Sequence, residues 1–182
     1  MDTNQIYELI NRISSTYSVD QILVRAVVNA ESSFNPSAIR TEPNGMSSYG
    51  LMQVTLPTAR SVVGSITIDQ LMIPDINLSV GISYLSSLLD KYGNIPDAVA
   101  SYNAGLPRKN VSGQYINSKG STNVNNYVNR VLGYYNQYKT EAGTPETTPL
   151  YLPLYLPSIP QSSQIQLIMG AIVILIVLWI VL

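Results

Sequence analysis

The chain has 182 residues, with ten Lys or Arg, eleven Asp or Glu, no cysteine and no histidine. That length is enough for one domain with a core plus accessory segments. The two absences exclude a disulfide framework, a thiol nucleophile, zinc peptidases and amidases, and Cys/His or Ser/His/Asp catalysis, leaving carboxylates, lysines, hydroxyls and amides for any chemistry.

Ile6, Leu9, Ile10, Ile13 and Tyr17 recur at spacings of three and four and predict a first helix, with Asp2 or Thr3 as its cap. The stretch MDTNQIYELINRISSTY lacks a charged leader, an apolar run and a small-residue cleavage site, so no secretory signal peptide is expected. Asp20 is placed to cap a second helix through ILVRAVVNA, which should end near Ser33 because Asn35 precedes Pro36 and is pushed out of helical geometry. A loop, EPNGMSSYG, follows, and strand-like alternation is visible only briefly, around Gly45 to Val54. Further helices are predicted over Thr58 to Val63 behind Pro57, over Asp75 to Tyr92 with Leu78, Ile82, Leu85 and Leu89 in register, and over Pro96 to Ala104, closed by Gly105. The polar stretch LPRKNVSGQYINSKGSTN reads as a long loop, and a last helix fits Val124 to Tyr138, with Val124, Tyr127, Val128, Val131 and Tyr135 facing inward.

Residues 1–139 therefore read as one mainly α domain. From 140 to 164 the composition changes, with TPETTPLYLPLYLPSIPQSSQ placing a proline every few residues, which predicts an extended, stiff spacer. The apolar near-repeat LYLPLYLP leaves open an ordered arm instead. Residues 165–182, IQLIMGAIVILIVLWIVL, carry no charge. As a helix they would rise roughly 27 Å, close to the 30 Å hydrocarbon core of a bilayer, so a single transmembrane tail anchor is expected. No Lys or Arg follows Lys139, so the flanks give no orientation.

Charge is unevenly spread: residues 108–139 hold five basic side chains and no acidic one. This stretch could favour an anionic polymer or form an ordinary solvated surface. It contains no nucleic-acid reading module, so nucleic acid is not an expected partner.

Leu23, Val27 and Glu31 stand four apart and share one helix face, so Glu31 points where core residues point. A nearby helix C-terminus and apolar neighbours both disfavour an ionised carboxyl, which suits a general acid. Pairing with Arg25 or Arg40 at the surface is the competing reading. Three short motifs follow one another: ESSFNP from Glu31, SSYGLMQVT from Ser47 and AVASYNAG from Ala98. In this order and spacing the chain resembles the soluble lytic transglycosylase family over roughly residues 5 to 138. INLSVGISYL, with Asn77, Gly81, Tyr84 and Leu85, and YVNRVLGYY, opening at Tyr127, support the match.

The resemblance implies a lysozyme-like fold and cleavage of peptidoglycan glycan strands without metal or cofactor. It places Glu31 as the sole catalytic acid, and Ser48, Gly50, Met52, Gln53, Tyr102, Asn103 and Tyr127 along the substrate groove. Gly50 would let backbone approach a ligand closely, Gln53 would bind acetamido groups and hydroxyls, and Tyr102 would donate its hydroxyl to Glu31. Tyr49 stands where the family often has a small residue, leaving open whether Ser47 or Ser48 reaches the site.

The resemblance also implies a 1,6-anhydro product: Glu31 protonates the bond between N-acetylmuramic acid and N-acetylglucosamine, then deprotonates the C6 hydroxyl. Two other outcomes are a hydrolase in which Glu42 positions water, and an inactive wall-binding domain that anchors a membrane complex. A tail anchor with no signal peptide fits a virion-associated enzyme of a bacteriophage with an internal membrane, alongside other virion proteins, better than a bacterial envelope-remodelling enzyme.

Overall fold

Asp2 and Asp20 start the first two helices as their sequence positions predict. In the computed structural model, which describes residues 1–42 and 45–143, α1 spans Thr3–Thr16 and α2 Gln21–Ser32. Asp2 accepts from the Gln5 N–H while the Gln5 side chain returns to the Asp2 N–H, a reciprocal cap. Asp20 accepts from the Ile22 N–H. α2 stops because Ser33 turns left-handed (φ 51°), followed by Phe34 (φ 60°), conformations that cost non-glycine residues roughly 1–2 kcal/mol each. Phe34 is held there by the Tyr7 ring, edge-on at 5.3 Å.

A three-stranded antiparallel sheet follows: β1 (Ile39–Thr41), β2 (Ser47–Tyr49) and β3 (Val54–Thr55), in that order, with Arg40 opposite Ser48 and Ser48 opposite Thr55. It is wider than the alternation around Gly45 to Val54 suggests, because β1 is three residues long, all exposed, and its single apolar residue, Ile39, makes no alternation. Helices α3 (Leu56–Val63), α5 (Pro74–Tyr92) and α6 (Ile95–Ala104) lie where periodicity placed them, with α3 starting two residues earlier on a Thr55 cap. The one-turn helix α4 (Ile68–Leu71), capped reciprocally by Thr67 and Gln70, is too short to leave a periodic trace.

The stretch expected as a plain loop after Gly105 contains a hairpin, β4 (Arg108–Lys109) against β5 (Tyr115–Ile116). It is fastened to α6 by side chains: Tyr115 donates its hydroxyl to Asp97, and Lys109 Nζ lies 3.2 Å from the same carboxylate. α7 (Asn123–Gly143) runs past the expected limits at Tyr138 and residue 139.

The core joins Ile6, Ile10 and Ile13 of α1, Leu23, Val24, Val27 and Val28 of α2, Leu78, Ile82 and Leu85 of α5, and Val124, Val128 and Val131 of α7. Each such aliphatic side chain contributes roughly 1.5–3 kcal/mol on burial. α2 lies between α1 and α7, which carries its C-terminal turn, and Glu31 with it, into the interior. No helix among the described residues is long and apolar enough to cross a membrane. The expected tail anchor at 165–182 and nearly all of the proline-rich spacer lie outside the described residues.

Candidate active site

Glu31 continues the buried row of Leu23 and Val27 and is only 8% exposed. Its carboxyl is held from α7: the Tyr127 hydroxyl donates to Oε1 at 2.6 Å. From the sheet side, Arg40 donates through Nη2 to the Glu31 backbone oxygen at 3.1 Å, and its Nη1 lies 4.0 Å from Oε2. Arg40 thus satisfies a carbonyl that the helix end leaves without an intrahelical partner. Burial raises the Glu31 pKa from 4.5 to about 6, and Tyr127, Arg40 and Arg130 each oppose the rise. Glu31 is thus buried and protonatable, and of the competing surface pairing only the Arg40 contact is found, with the carboxyl buried and Arg25 not its partner.

The expected donor to Glu31, Tyr102, does something else. Its buried hydroxyl donates to the Met52 backbone oxygen at 2.9 Å, and its ring tilts against Tyr84 at 5.5 Å. Tyr127 occupies the donor role. Its place in the inward row of α7 was the available signal, since a hydroxyl carried into a core needs a partner.

Gln53, in a left-handed conformation (φ 46°), is 8% exposed and has both ends of its amide in use. Nε2 donates to Ala38 O at 3.0 Å and Gly50 O at 2.9 Å, while Oε1 accepts the Ser48 hydroxyl at 2.9 Å. Both its amide protons are thus committed to the protein, and it ties the sheet together at the floor of the site. Ser47 and Ser48 both line the cleft; Ser47 pairs with the Thr41 hydroxyl at 2.9 Å and Ser48 with Gln53.

Gly50 and Met52 present no side chain to the cleft. Gly50 has φ +71°, and a Cβ there would lie 2.5 Å from Asn77 Nδ2, so the glycine makes room for a protein side chain, not for the ligand expected. Buried Asn77 uses that room: its Oδ1 accepts the Met52 N–H, and its Nδ2 donates to Tyr49 O and Leu71 O. The Met52 side chain is fully buried against Gly81, where a Cβ would lie 2.5 Å from its sulfur. Asn77 and Gly81 thus shape the loop that fixes Tyr102.

Two depressions of about 680 and 660 Å³ adjoin Glu31, and both are lined by Glu31, Arg40 and Gln53. The larger also takes in Tyr102, Asn103 and Tyr127, and beyond them Asn117 and Asn126. Glu42 and Arg130, which the sequence motifs do not single out for the groove, line it as well. The catalytic candidate therefore lines both depressions, which share Arg40 and Gln53 with it and together form one polar groove.

The protein-family model described as "Transglycosylase SLT domain" matches residues 8–136. The chain belongs to this family. The transglycosylase of Enterobacteria phage PRD1 is 36% identical over 106 residues, covering 58% of this chain and 37% of that protein. The soluble lytic murein transglycosylase of Salmonella typhimurium is 30% identical over 156 residues, covering 76% of this chain and 24% of that protein. The 70 kDa soluble lytic transglycosylase of Escherichia coli, solved by crystallography, superposes with a TM-score of 0.62 at 28% identity, covering 75% of this chain and 24% of that one. The match spans well under half the length of these relatives. The mainly helical fold expected from the sequence is that of the SLT family.

Proposed function

We propose that this chain is a lytic transglycosylase of peptidoglycan in which Glu31 serves first as acid and then as base. The observation that carries the reading is a buried carboxyl with a pKa near 6, held by Tyr127 and lining both of two adjoining depressions. Because Oε1 accepts the Tyr127 proton, the transferable proton belongs on Oε2. In the first step Oε2–H protonates the oxygen linking N-acetylmuramic acid to N-acetylglucosamine, and the C1–O bond breaks. The muramoyl acetamido oxygen steadies the cationic C1. The Glu31 carboxylate then takes the proton of the C6 hydroxyl while O6 bonds to C1, so a 1,6-anhydro ring forms, Glu31 regains its proton and no water is consumed.

Within this reading Gln53 and Ser48 brace the sheet, Tyr102 holds the Met52 loop, and Asn103 faces the sugar. Glu31→Gln tests it: zymography on purified peptidoglycan should show no clearing, since Gln keeps the shape and loses the proton. General acid catalysis alone is worth roughly 10²- to 10⁴-fold, and this residue acts twice. Clearing within about tenfold of the unmodified protein would move the chemistry elsewhere.

A second reading has one specific support. Glu42 lines the same groove, and a second carboxylate is what a hydrolase needs to activate water. Glu42→Ala separates the two, being nearly silent for the transglycosylase and damaging for the hydrolase.

For location, the uncharged run at 165–182 and the likeness to a phage PRD1 transglycosylase support a membrane-anchored enzyme carried in a virion, which opens the cell wall when the genome is delivered. Full-length protein should then require detergent while a version ending at Thr140 stays soluble and active. Absence of the protein from purified particles would defeat the virion assignment.

A further inference from the structure

The groove around Glu31 carries two guanidinium groups that the chemistry above does not use. Arg40 lines both depressions, and its side chain is half exposed. It spends one donor set on the Glu31 backbone oxygen, and at 4.0 Å its contact with Oε2 is an ion pair without a hydrogen bond. Arg130, exposed on α7 one turn beyond Tyr127, lies across the Tyr127 ring at 5.6 Å and forms no ion pair among the described residues. The acidic side chains in the groove are Glu31 and the exposed Glu42, and neither lies within ion-pairing distance of Arg130. In the acid-competent state Glu31 is neutral. The smaller depression then holds Arg40 as its one charged side chain, and the larger holds two cations against Glu42.

A cation this close to the reacting centre opposes the positive charge that develops at C1, unless an anion accompanies it. A guanidinium with free donors facing a groove is matched by a planar carboxylate, which it binds in a fork of two hydrogen bonds. A chitin-like strand has no such group. Peptidoglycan does, on the substituent of each muramoyl unit: the lactyl carboxyl where the strand is bare, or the carboxylates of the stem peptide where it is substituted.

Resting on the transglycosylase reading, we propose that Arg40 and Arg130 form a carboxylate-binding pair that selects glycan strands with anionic muramoyl substituents and offsets the charge at Arg40 during bond cleavage. Arg40 and Arg130 are then specificity-determining residues, and neither touches the bond that breaks.

The test measures digestion rates of full-length protein on three substrates: intact sacculi, the same sacculi with carboxyls converted to amides, and amidase-stripped strands bearing only lactyl carboxylates. The original enzyme should lose about tenfold in kcat/KM on amidated sacculi, mostly in KM. Arg130→Gln should lose a similar factor on intact sacculi and nothing further on amidated ones. Arg40→Lys should recover only part of the activity that Arg40→Gln loses, since Lys keeps the charge but cannot form the two-bond fork. Arginine dependence confined to intact sacculi assigns the anion to the stem peptide, and confined to stripped strands, to the lactyl group. Equal rates of the original enzyme on intact and amidated sacculi, or an Arg130→Gln loss equal on both, would overturn the pair. Failure to digest any substrate would instead remove the transglycosylase reading beneath it.

Discussion

The Tyr127 hydroxyl donates a 2.6 Å hydrogen bond to Oε1 of Glu31, joining α7 to the end of α2 across 96 positions of sequence. That bond favours the ionised carboxyl, while burial favours the neutral one, and burial prevails. Tyr127→Phe removes the restraint on the rise, so the Glu31 pKa should move further up. The limb on which activity falls with rising pH, near 6 in the original protein, should then shift to higher pH, while the plateau rate drops because the carboxyl is no longer oriented. A pH profile of kcat/KM reads both changes; a limb displaced to lower pH would contradict the assignment.

The raised pKa also predicts a stability effect. Between the unfolded value of 4.5 and the folded value of about 6, the native state binds more protons than the unfolded chain. Stability from Glu31 is therefore fully present below pH 4.5 and lost as pH rises through about 6. Glu31→Gln, neutral at every pH, should be more stable than the original protein at pH 7 by up to roughly 2 kcal/mol, with the gap closing below pH 4.5. Denaturant melts at pH 4 and pH 7 measure this, and equal differences at both would mean the carboxyl is not held neutral by burial.

Gln53 is predicted to act through architecture. Gln53→Glu keeps its volume but removes the two amide protons that reach Ala38 O and Gly50 O, and turns a carboxylate toward two carbonyls. A loss of about 2–4 kcal/mol is expected from the unmet buried groups. Urea unfolding measures the loss, and Gln53→Glu with full stability and weak substrate binding would restore a direct sugar-binding role.

Gly50→Ala should be among the costliest single-methyl additions in the chain. The new Cβ meets Asn77 Nδ2 at 2.5 Å, and φ +71° is strained for any side chain. More than about 3 kcal/mol should be lost, from strain and from the broken Asn77 contacts together. Thermal unfolding with retained activity at low temperature would show that the groove tolerates the shift.

Much of this was legible in the sequence because it rests on long periodic signals. The rows Ile6/Ile10/Ile13, Leu78/Ile82/Leu85 and Val124/Val128/Val131 each sustain a helix, and the Leu23/Val27/Glu31 row turned the carboxyl inward. What escaped was short or depended on tertiary packing. The two-residue strands at Arg108 and Tyr115 are held by Asp97, far from them in sequence, and α4 is a single turn. Of the motif residues, Ser48, Gln53, Tyr102, Asn103 and Tyr127 line one cleft with Glu31, while Gly50 and Met52 do not, and Tyr127 makes the contact expected of Tyr102 while Gly50 serves Asn77. Spacing tells which residues come together, but not which of two tyrosines within reach points its hydroxyl at the acid.

The central claim, that Glu31 alone cleaves the strand and passes its proton back from the C6 hydroxyl, is tested most directly by mass spectrometry of peptidoglycan digested with full-length protein. The account predicts muropeptides with 1,6-anhydro ends, each lighter by one water than a hydrolysis product, and none with Glu31→Gln. Reducing muramoyl ends as the main product, lost on Glu42→Ala, would contradict it.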